Sequence, residues 1–273
     1  MAPKFGTSGL RGLVVELTPD LVGEYVQAFL GVCPIGTGIF VARDLRPSSP
    51  AIAQMVMDAA RASGVAVTDC GDVPTPALAL AAMNAGAAAV MITGSHIPAD
   101  RNGLKFYTPN GEITKAHESA ILGDLGGTRH DAEGPEIHVN STAGAAYVAR
   151  FRSAYGTALS GLSIGIYSHS AVGRDLLLEI FASLGATVTE LGRSTTFIPV
   201  DTEAVDPEIR AQLNIWARDH KLDAIVSTDG DGDRPLMTDA TGTVIVGDIL
   251  GQITGAALGA KVGVTPVSSN TGA

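Results

Sequence analysis

One plan occurs twice in this chain: strand, helix, strand, helix, strand, polar loop, hairpin. In the first unit, residues 38–43 predict a strand. Residues 49–63 predict a helix with Pro50 in its first turn and Gly64 just past its end. A strand at 65–69 and a helix at 75–85 follow, the helix opened by Pro76 and stopped by Gly86. Residues 87–93 are apolar throughout, the pattern of a strand covered on both faces. A Gly/Pro/Asp loop at 94–103 leads to a hairpin of 104–107 and 112–114 around Asn110-Gly111. Residues 143–155 predict a connecting helix. The second unit then runs through a strand at 162–167, a helix at 173–184 ended by Gly185 and a strand at 187–191. A helix at 206–220 has Asp206 as N-cap and Pro207 at its first position. It is followed by a strand at 224–228, a loop at 229–234 and a hairpin of 236–238 and 244–246. Crossover helices of this length imply mostly parallel sheets with right-handed connections. The expected fold is α/β: two consecutive mixed, mostly parallel α/β/α sandwich domains at 1–142 and 143–246. The start of a third is expected at 247–273, with a helix at 248–260 and an apolar strand at 262–267.

Composition narrows the function classes. Eighteen Lys and Arg against 28 Asp and Glu give a net charge of −10. That argues against a nucleic-acid partner, because phosphate backbones select basic surfaces. With 45% hydrophobic and 17% charged residues, disorder is excluded. The most apolar stretch, 77–92, is shorter than the roughly 20 residues of a membrane span, and Asn84 and Gly86 interrupt it. No membrane partner and no secretory leader are expected. The two cysteines, Cys33 and Cys70, form neither a metal spacing nor a disulfide framework, which fits a reducing, cytoplasmic location.

In open α/β sheets, ligands bind beyond the C-terminal ends of the strands, and both polar loops follow such ends. Asp229-Gly230-Asp231-Gly232-Asp233-Arg234 places three carboxylates at alternate positions on a glycine-softened loop. They would repel one another without a cation, and an all-oxygen set suits a hard ion such as Mg²⁺. An EF-hand is excluded, since its sixth and twelfth positions would be Arg234 and Ala240. Thr93-Gly94-Ser95-His96-Ile97-Pro98 puts a serine on a tight turn, a candidate nucleophile with His96 beside it. Asn102-Gly103-Leu104-Lys105 returns an amine toward that serine. Two segments read as anion binders: Gly6-Thr7-Ser8-Gly9-Leu10-Arg11-Gly12, and Arg43-Asp44-Leu45-Arg46-Pro47-Ser48-Ser49, which opens a helix. Ser168-His169-Ser170, at the equivalent place in the second unit, reads as a structural loop.

Taken in order, these segments resemble the α-D-phosphohexomutase superfamily, the bacterial phosphomannomutases and phosphoglucomutases. Residues 6–12 look like its opening motif, 93–98 like its phosphoserine loop and 229–234 like its metal loop. Phe197–Ala204 also looks like a phosphomannomutase segment. The resemblance implies that Ser95 carries a phosphoryl group and, with Asp229, Asp231 and Asp233, holds Mg²⁺. It implies that Lys105 is a general acid/base. His96, Arg11 and Arg234 would position the reacting groups, and Thr7, Ser8, Arg43, Arg46 and Asn102 would bind substrate phosphate. The implied reaction converts a hexose 6-phosphate and a 1-phosphate through a bound hexose 1,6-bisphosphate. The chain departs from the family pattern where Gly94 replaces an alanine and Ile97 an asparagine. The family's later sugar-recognition and phosphate-clamp loops have no counterpart here. The resemblance therefore implies two domains and the start of a third, little turnover by this chain alone, and self-association through the 247–273 segment. A Mg²⁺-dependent phosphatase and a non-catalytic binding fragment are the alternative readings.

Overall fold

The computed structural model describes residues 3–6, 9–127, 132, 134–265 and 269. The first half contains strands β1 (Lys4–Phe5), β2 (Leu10–Leu13), β3 (Ile39–Arg43), β4 (Val67–Asp69), β5 (Ala88–Ile92), β6 (Arg101–Thr108), β7 (Gly111–Glu112) and β8 (His138–Val139). Helices α1 (Pro19–Val32), α2 (Ser49–Ala62), α3 (Thr75–Asn84) and α4 (Lys115–Asp124) lie among them. The strands form one sheet of order β1-β2-β6-β5-β3-β4-β8, with β7 beside β6. Strands β3, β4, β5 and β8 run parallel, and β6 and β2 are antiparallel to their neighbours.

Every residue of β5 is buried, as its continuous apolar run requires. Its odd and even positions serve different layers. Ala88, Val90 and Ile92 pack with Phe29, Ile52, Val56 and Ile121 from α1, α2 and α4. Ala89 and Met91 pack with Leu78 and Ala82 of α3.

Helix α5 (Ala143–Tyr155) joins this half to the second. Its Ala143 belongs to the α3 layer, and Val148 packs with Ile180 of the next helix, α6 (Arg174–Ser183). Strands β9 (Ser163–Tyr167), β10 (Thr187–Leu191), β11 (Ala224–Thr228), β12 (Pro235–Thr238) and β13 (Val244–Ile245) form a second sheet of order β10-β9-β11-β12-β13. Strands β9, β10 and β11 are parallel, and the β12–β13 end is antiparallel. Helix α7 (Pro207–His220) covers one face through Leu213 and Ala217, and α6 covers the other through Leu177 and Phe181. The architecture is thus two mixed, mostly parallel sheets sandwiched between helices.

Helix α8 (Gly247–Ala257) follows the second sheet. The strand expected at 262–267 is corrected in part. Residues 262–265 form no strand, and Val262 and Val264 are 83% and 95% exposed. A strand is stabilised by ladder partners, and the described residues offer it none. Residues 266 and 267 lie outside the described residues. No described helix is long and apolar enough to cross a membrane.

Candidate active site

The two loops singled out in the sequence meet. Ser95 sits in the turn after β5 with a left-handed φ of 53° and no exposed surface. A non-glycine residue holds such a conformation only where its surroundings dictate it. Here they do. The Ser95 N–H donates to Thr93 Oγ1 at 2.7 Å, and that hydroxyl donates to Asp44 Oδ2 at 2.8 Å. Arg46, 1% exposed, extends beneath the loop. Its Nε donates to Asp44 Oδ2 at 3.1 Å. One terminal nitrogen donates to the carbonyls of Ser95 (2.9 Å) and Ile97 (2.6 Å), and the other to those of Pro98 (2.7 Å) and Arg101 (3.0 Å). The ring of Phe197 caps the guanidinium at 4.1 Å. Gly94 is glycine because a Cβ there would lie 2.7 Å from Arg46 Cζ.

From the second sheet, the turn after β11 brings Asp229, Asp231 and Asp233 to face Ser95. One carboxylate oxygen from each lies within 4.8 Å of the others. Ser95 Oγ donates to Asp229 Oδ2 at 2.5 Å, joining residues 134 apart in sequence. The antiparallel register that sets Lys105 of β6 opposite Met91 of β5 returns the lysine to the same point. Its Nζ lies 2.7 Å from Asp231 Oδ2 and 2.6 Å from Asp233 Oδ2.

The electrostatics follow from this crowding. Burial alone would lower the Lys105 ammonium, but the charges of Asp231 and Asp233 outweigh it and hold it above the ordinary lysine value. Burial, with the charge of Asp231 second, pushes Asp229 up to about 7. Burial presses Asp231 the same way, yet Lys105 holds it below the usual carboxylate range. Asp231 Oδ1 is buried without a hydrogen-bond partner among the described residues.

A cationic rim completes the site. Arg234 NH1 lies 3.3 Å from His96 Nδ1, which is 3.4 Å from Ser95 Oγ. Burial is the main cause holding His96 below the ordinary histidine value. Arg234 also reaches Glu203 Oε1 at 3.3 Å. Arg11, on β2 opposite Gly103, is lowered first by burial and then by Arg234. One of its buried terminal nitrogens has no hydrogen-bond partner among the described residues.

Ser95, His96, Lys105, Arg11, Arg234 and the three aspartates are therefore brought together. Three expected phosphate binders are placed differently. Arg46 has its donors on Asp44 and four carbonyls, so it supports the loop from below instead of facing a ligand. Arg43 pairs with Asp69 at 3.3 Å and Asp72 at 2.8 Å. Asn102, fully buried, donates to Ser48 and Ser49 Oγ at 2.9 Å and accepts from Gly103 N. Thr7 and Ser8 lie outside the described residues. Sequence reasoning missed Asp44 and Thr75 as site residues. Thr75 Oγ1 donates to Asp231 Oδ2 at 2.6 Å.

Residues 2–129 match the family model described as phosphoglucomutase/phosphomannomutase, alpha/beta/alpha domain I, and residues 145–242 match that of domain II. A phosphomannomutase of Sinorhizobium fredii is 47% identical over 285 residues, covering 100% of this chain and 60% of that protein. One of Salmonella muenchen is 44% identical over 271 residues, covering 98% and 56%. A crystal structure of a phosphoglucomutase/phosphomannomutase family protein from Burkholderia thailandensis superposes with a TM-score of 0.78 at 24% identity. It covers 92% of this chain and 57% of that one, a likeness of fold. The chain thus spans 56% to 60% of the length of these two phosphomannomutases. With both family models in sequence order and relatives at these identities, the chain belongs to the phosphoglucomutase/phosphomannomutase family of the α-D-phosphohexomutase superfamily.

Proposed function

We propose that residues 1–273 carry the phosphoryl-transfer half of a hexose-phosphate mutase of the phosphomannomutase kind. It would interconvert hexose 6- and 1-phosphates through a bound hexose 1,6-bisphosphate. The observation that carries this reading is the 2.5 Å bond between Ser95 Oγ and Asp229 Oδ2, which sets a hydroxyl nucleophile from one sheet against the acidic loop of the other. The domain bounds that go with it are 1–142, 143–246 and 247–273.

The donor set fits a divalent cation. It is all oxygen, its three carboxylates converge, and Asp231 Oδ1 is a buried acceptor that no donor among the described residues reaches. Asp229, Asp231, Asp233 and a Ser95 oxygen would hold Mg²⁺, which when bound neutralises charge on the transferring phosphoryl oxygens. The remaining chemistry belongs to the chain. Ser95, fixed in its strained turn, presents Oγ to phosphorus. As the new O–P bond forms and the sugar O–P bond breaks, the Ser95 proton passes toward Asp229, which already accepts it. Lys105, held protonated by its two carboxylates, gives a proton to the departing sugar oxygen. In the reverse step it receives the proton back from the attacking hydroxyl. Arg11 and Arg234 offer guanidinium donors to the phosphate, and His96 keeps Arg234 directed at Ser95. Positioning and charge neutralisation of this sort supply most of the catalysis in phosphoryl transfer.

These groups serve the reacting end of the substrate. Holding its far end is worth several kcal/mol of oriented binding, so residues 1–273 alone should turn over more slowly by orders of magnitude than a full-length relative. Self-association through the 247–273 segment is part of the same proposal. Calorimetric titration with Mg²⁺ on the wild type and Asp231→Ala tests the site. Binding by the wild type and its loss in the variant is the expected outcome, and equal affinity in the two would overturn the assignment. A coupled mutase assay and sedimentation of residues 1–273 check the other two points. Turnover equal to a full-length relative, or a monomer at all concentrations, would contradict them.

A further inference from the structure

Thr75 opens α3 and makes two contacts with the acidic loop of the second sheet. Its hydroxyl donates to Asp231 Oδ2 at 2.6 Å, and its N–H donates to the Asp231 carbonyl at 2.8 Å. The pair is 156 residues apart in sequence, and both members are buried. The N–H contact uses one of the donors that a helix N-terminus leaves without an intrahelical partner. The preceding residue supports the docking. Gly232, at φ 84°, lies so close that a Cβ there would sit 2.7 Å from Pro74 Cβ, so only glycine meets both demands.

The two oxygens of Asp231 are treated differently. Oδ2 receives both the Thr75 hydroxyl and Lys105 Nζ. Oδ1 is buried and receives no hydrogen bond from the described residues. A carboxylate gripped by one oxygen is fixed in rotation about its terminal bond, and its other oxygen is then presented in one direction. Lys105 alone cannot do this, because its Nζ is shared with Asp233 at 2.6 Å on a flexible stem. The short, β-branched threonine, anchored in a helix start, can.

We infer that Thr75 is a positioning residue of the metal centre: its hydroxyl clamps Asp231 Oδ2 so that Oδ1 faces the divalent cation, and it ties the acidic loop of the second sheet to the sheet that carries Ser95. The inference rests on the Mg²⁺ reading above. It explains why the acidic loop meets Ser95 in register although the two belong to different sheets. The loop is docked on α3, and α3 packs on the same sheet as β5. Outer hydrogen-bond partners of ligating carboxylates commonly govern affinity in this way.

The test is calorimetric Mg²⁺ binding to the intact chain as wild type, Thr75→Val and Thr75→Ser, with circular dichroism and thermal melting in EDTA confirming the fold of each. Thr75→Val keeps volume and branching but removes the donor, and Thr75→Ser keeps the donor. The expected result is a Kd for Mg²⁺ about 10- to 100-fold weaker in Thr75→Val, with Thr75→Ser restored close to wild type. Should Thr75→Val fail to fold, Thr75→Ala replaces it and the same ranking decides. A folded donor-less variant with wild-type affinity overturns the inference while leaving the metal site standing. A wild-type chain that binds no Mg²⁺ removes the metal reading, and the inference with it.

Discussion

Replacing Arg46 by lysine keeps the positive charge and most of the volume, yet it should damage both stability and chemistry. The guanidinium makes five hydrogen bonds, to Asp44 Oδ2 and to the carbonyls of Ser95, Ile97, Pro98 and Arg101. An ammonium has three donors radiating from one point, so at least two of these five bonds are lost, although Asp44 Oδ2 keeps the Thr93 hydroxyl and the Pro98 carbonyl keeps the Arg101 N–H. A hydrogen bond from a charged donor is worth roughly 1.5–3 kcal/mol, so losing two puts Arg46→Lys at about 3–6 kcal/mol. The four carbonyls define the turn that holds Ser95 at φ 53°, so the loop should relax and misplace Oγ. Urea unfolding followed by circular dichroism reads the first effect. The rate at which hexose 1,6-bisphosphate phosphorylates the protein reads the second, with a fall of about 100-fold expected for a displacement near 1 Å. A loss under about 1 kcal/mol together with an unchanged phosphorylation rate would refute the view that Arg46 supports the loop.

Two further outcomes follow from burial. His169 is fully buried, donates Nε2–H to the Thr228 carbonyl at 2.8 Å, and is pushed down to about 4, chiefly by burial. Its unfolded value is higher, so the unfolded chain binds the extra proton first. Stability is intact above the unfolded value and falls as pH drops from about 6.5 toward 4, by about 3 kcal/mol in all. His169→Asn should lack this component in urea unfolding at pH 7 against pH 4.5, and identical pH dependence in both proteins would contradict the assignment. Cys33 and Cys70 are free and buried, and burial raises both thiols, Cys70 to about 12. Ellman's reagent should therefore label neither in the native protein and both in denaturant, and fast native labelling of Cys70 would show that its environment is more open.

Elements were legible where local signals agree. Strands 187–191 and 224–228 and helix 143–155 fall at their expected ends, because each is an unbroken periodic or apolar run between breakers. Helix α1 was missed although its signals are present. Thr18 caps it, Pro19 occupies its first turn, and Val22, Val26 and Phe29 recur at helical spacing on its buried side. The acidic loop and the Ser95 turn were readable because alternating carboxylates and a serine between Gly and Pro at strand ends carry their chemistry locally. Arg46 was read as a phosphate binder because a cation after a strand looks the same in sequence whether it faces a phosphate or, as its donors do here, four carbonyls. Only its complete burial decides. Thr75 could not be found, since its partner lies 156 residues away and no local pattern encodes that pairing.

The central claim is that Ser95 takes a phosphoryl group beside the acidic loop. Incubating residues 1–273 with hexose 1,6-bisphosphate and Mg²⁺, followed by peptide mass spectrometry, tests it most directly. The account predicts one phosphate, on the peptide bearing Ser95, and none in Ser95→Ala. Phosphate on a different serine with Ser95 unmodified, or undiminished labelling of Ser95→Ala, would contradict it.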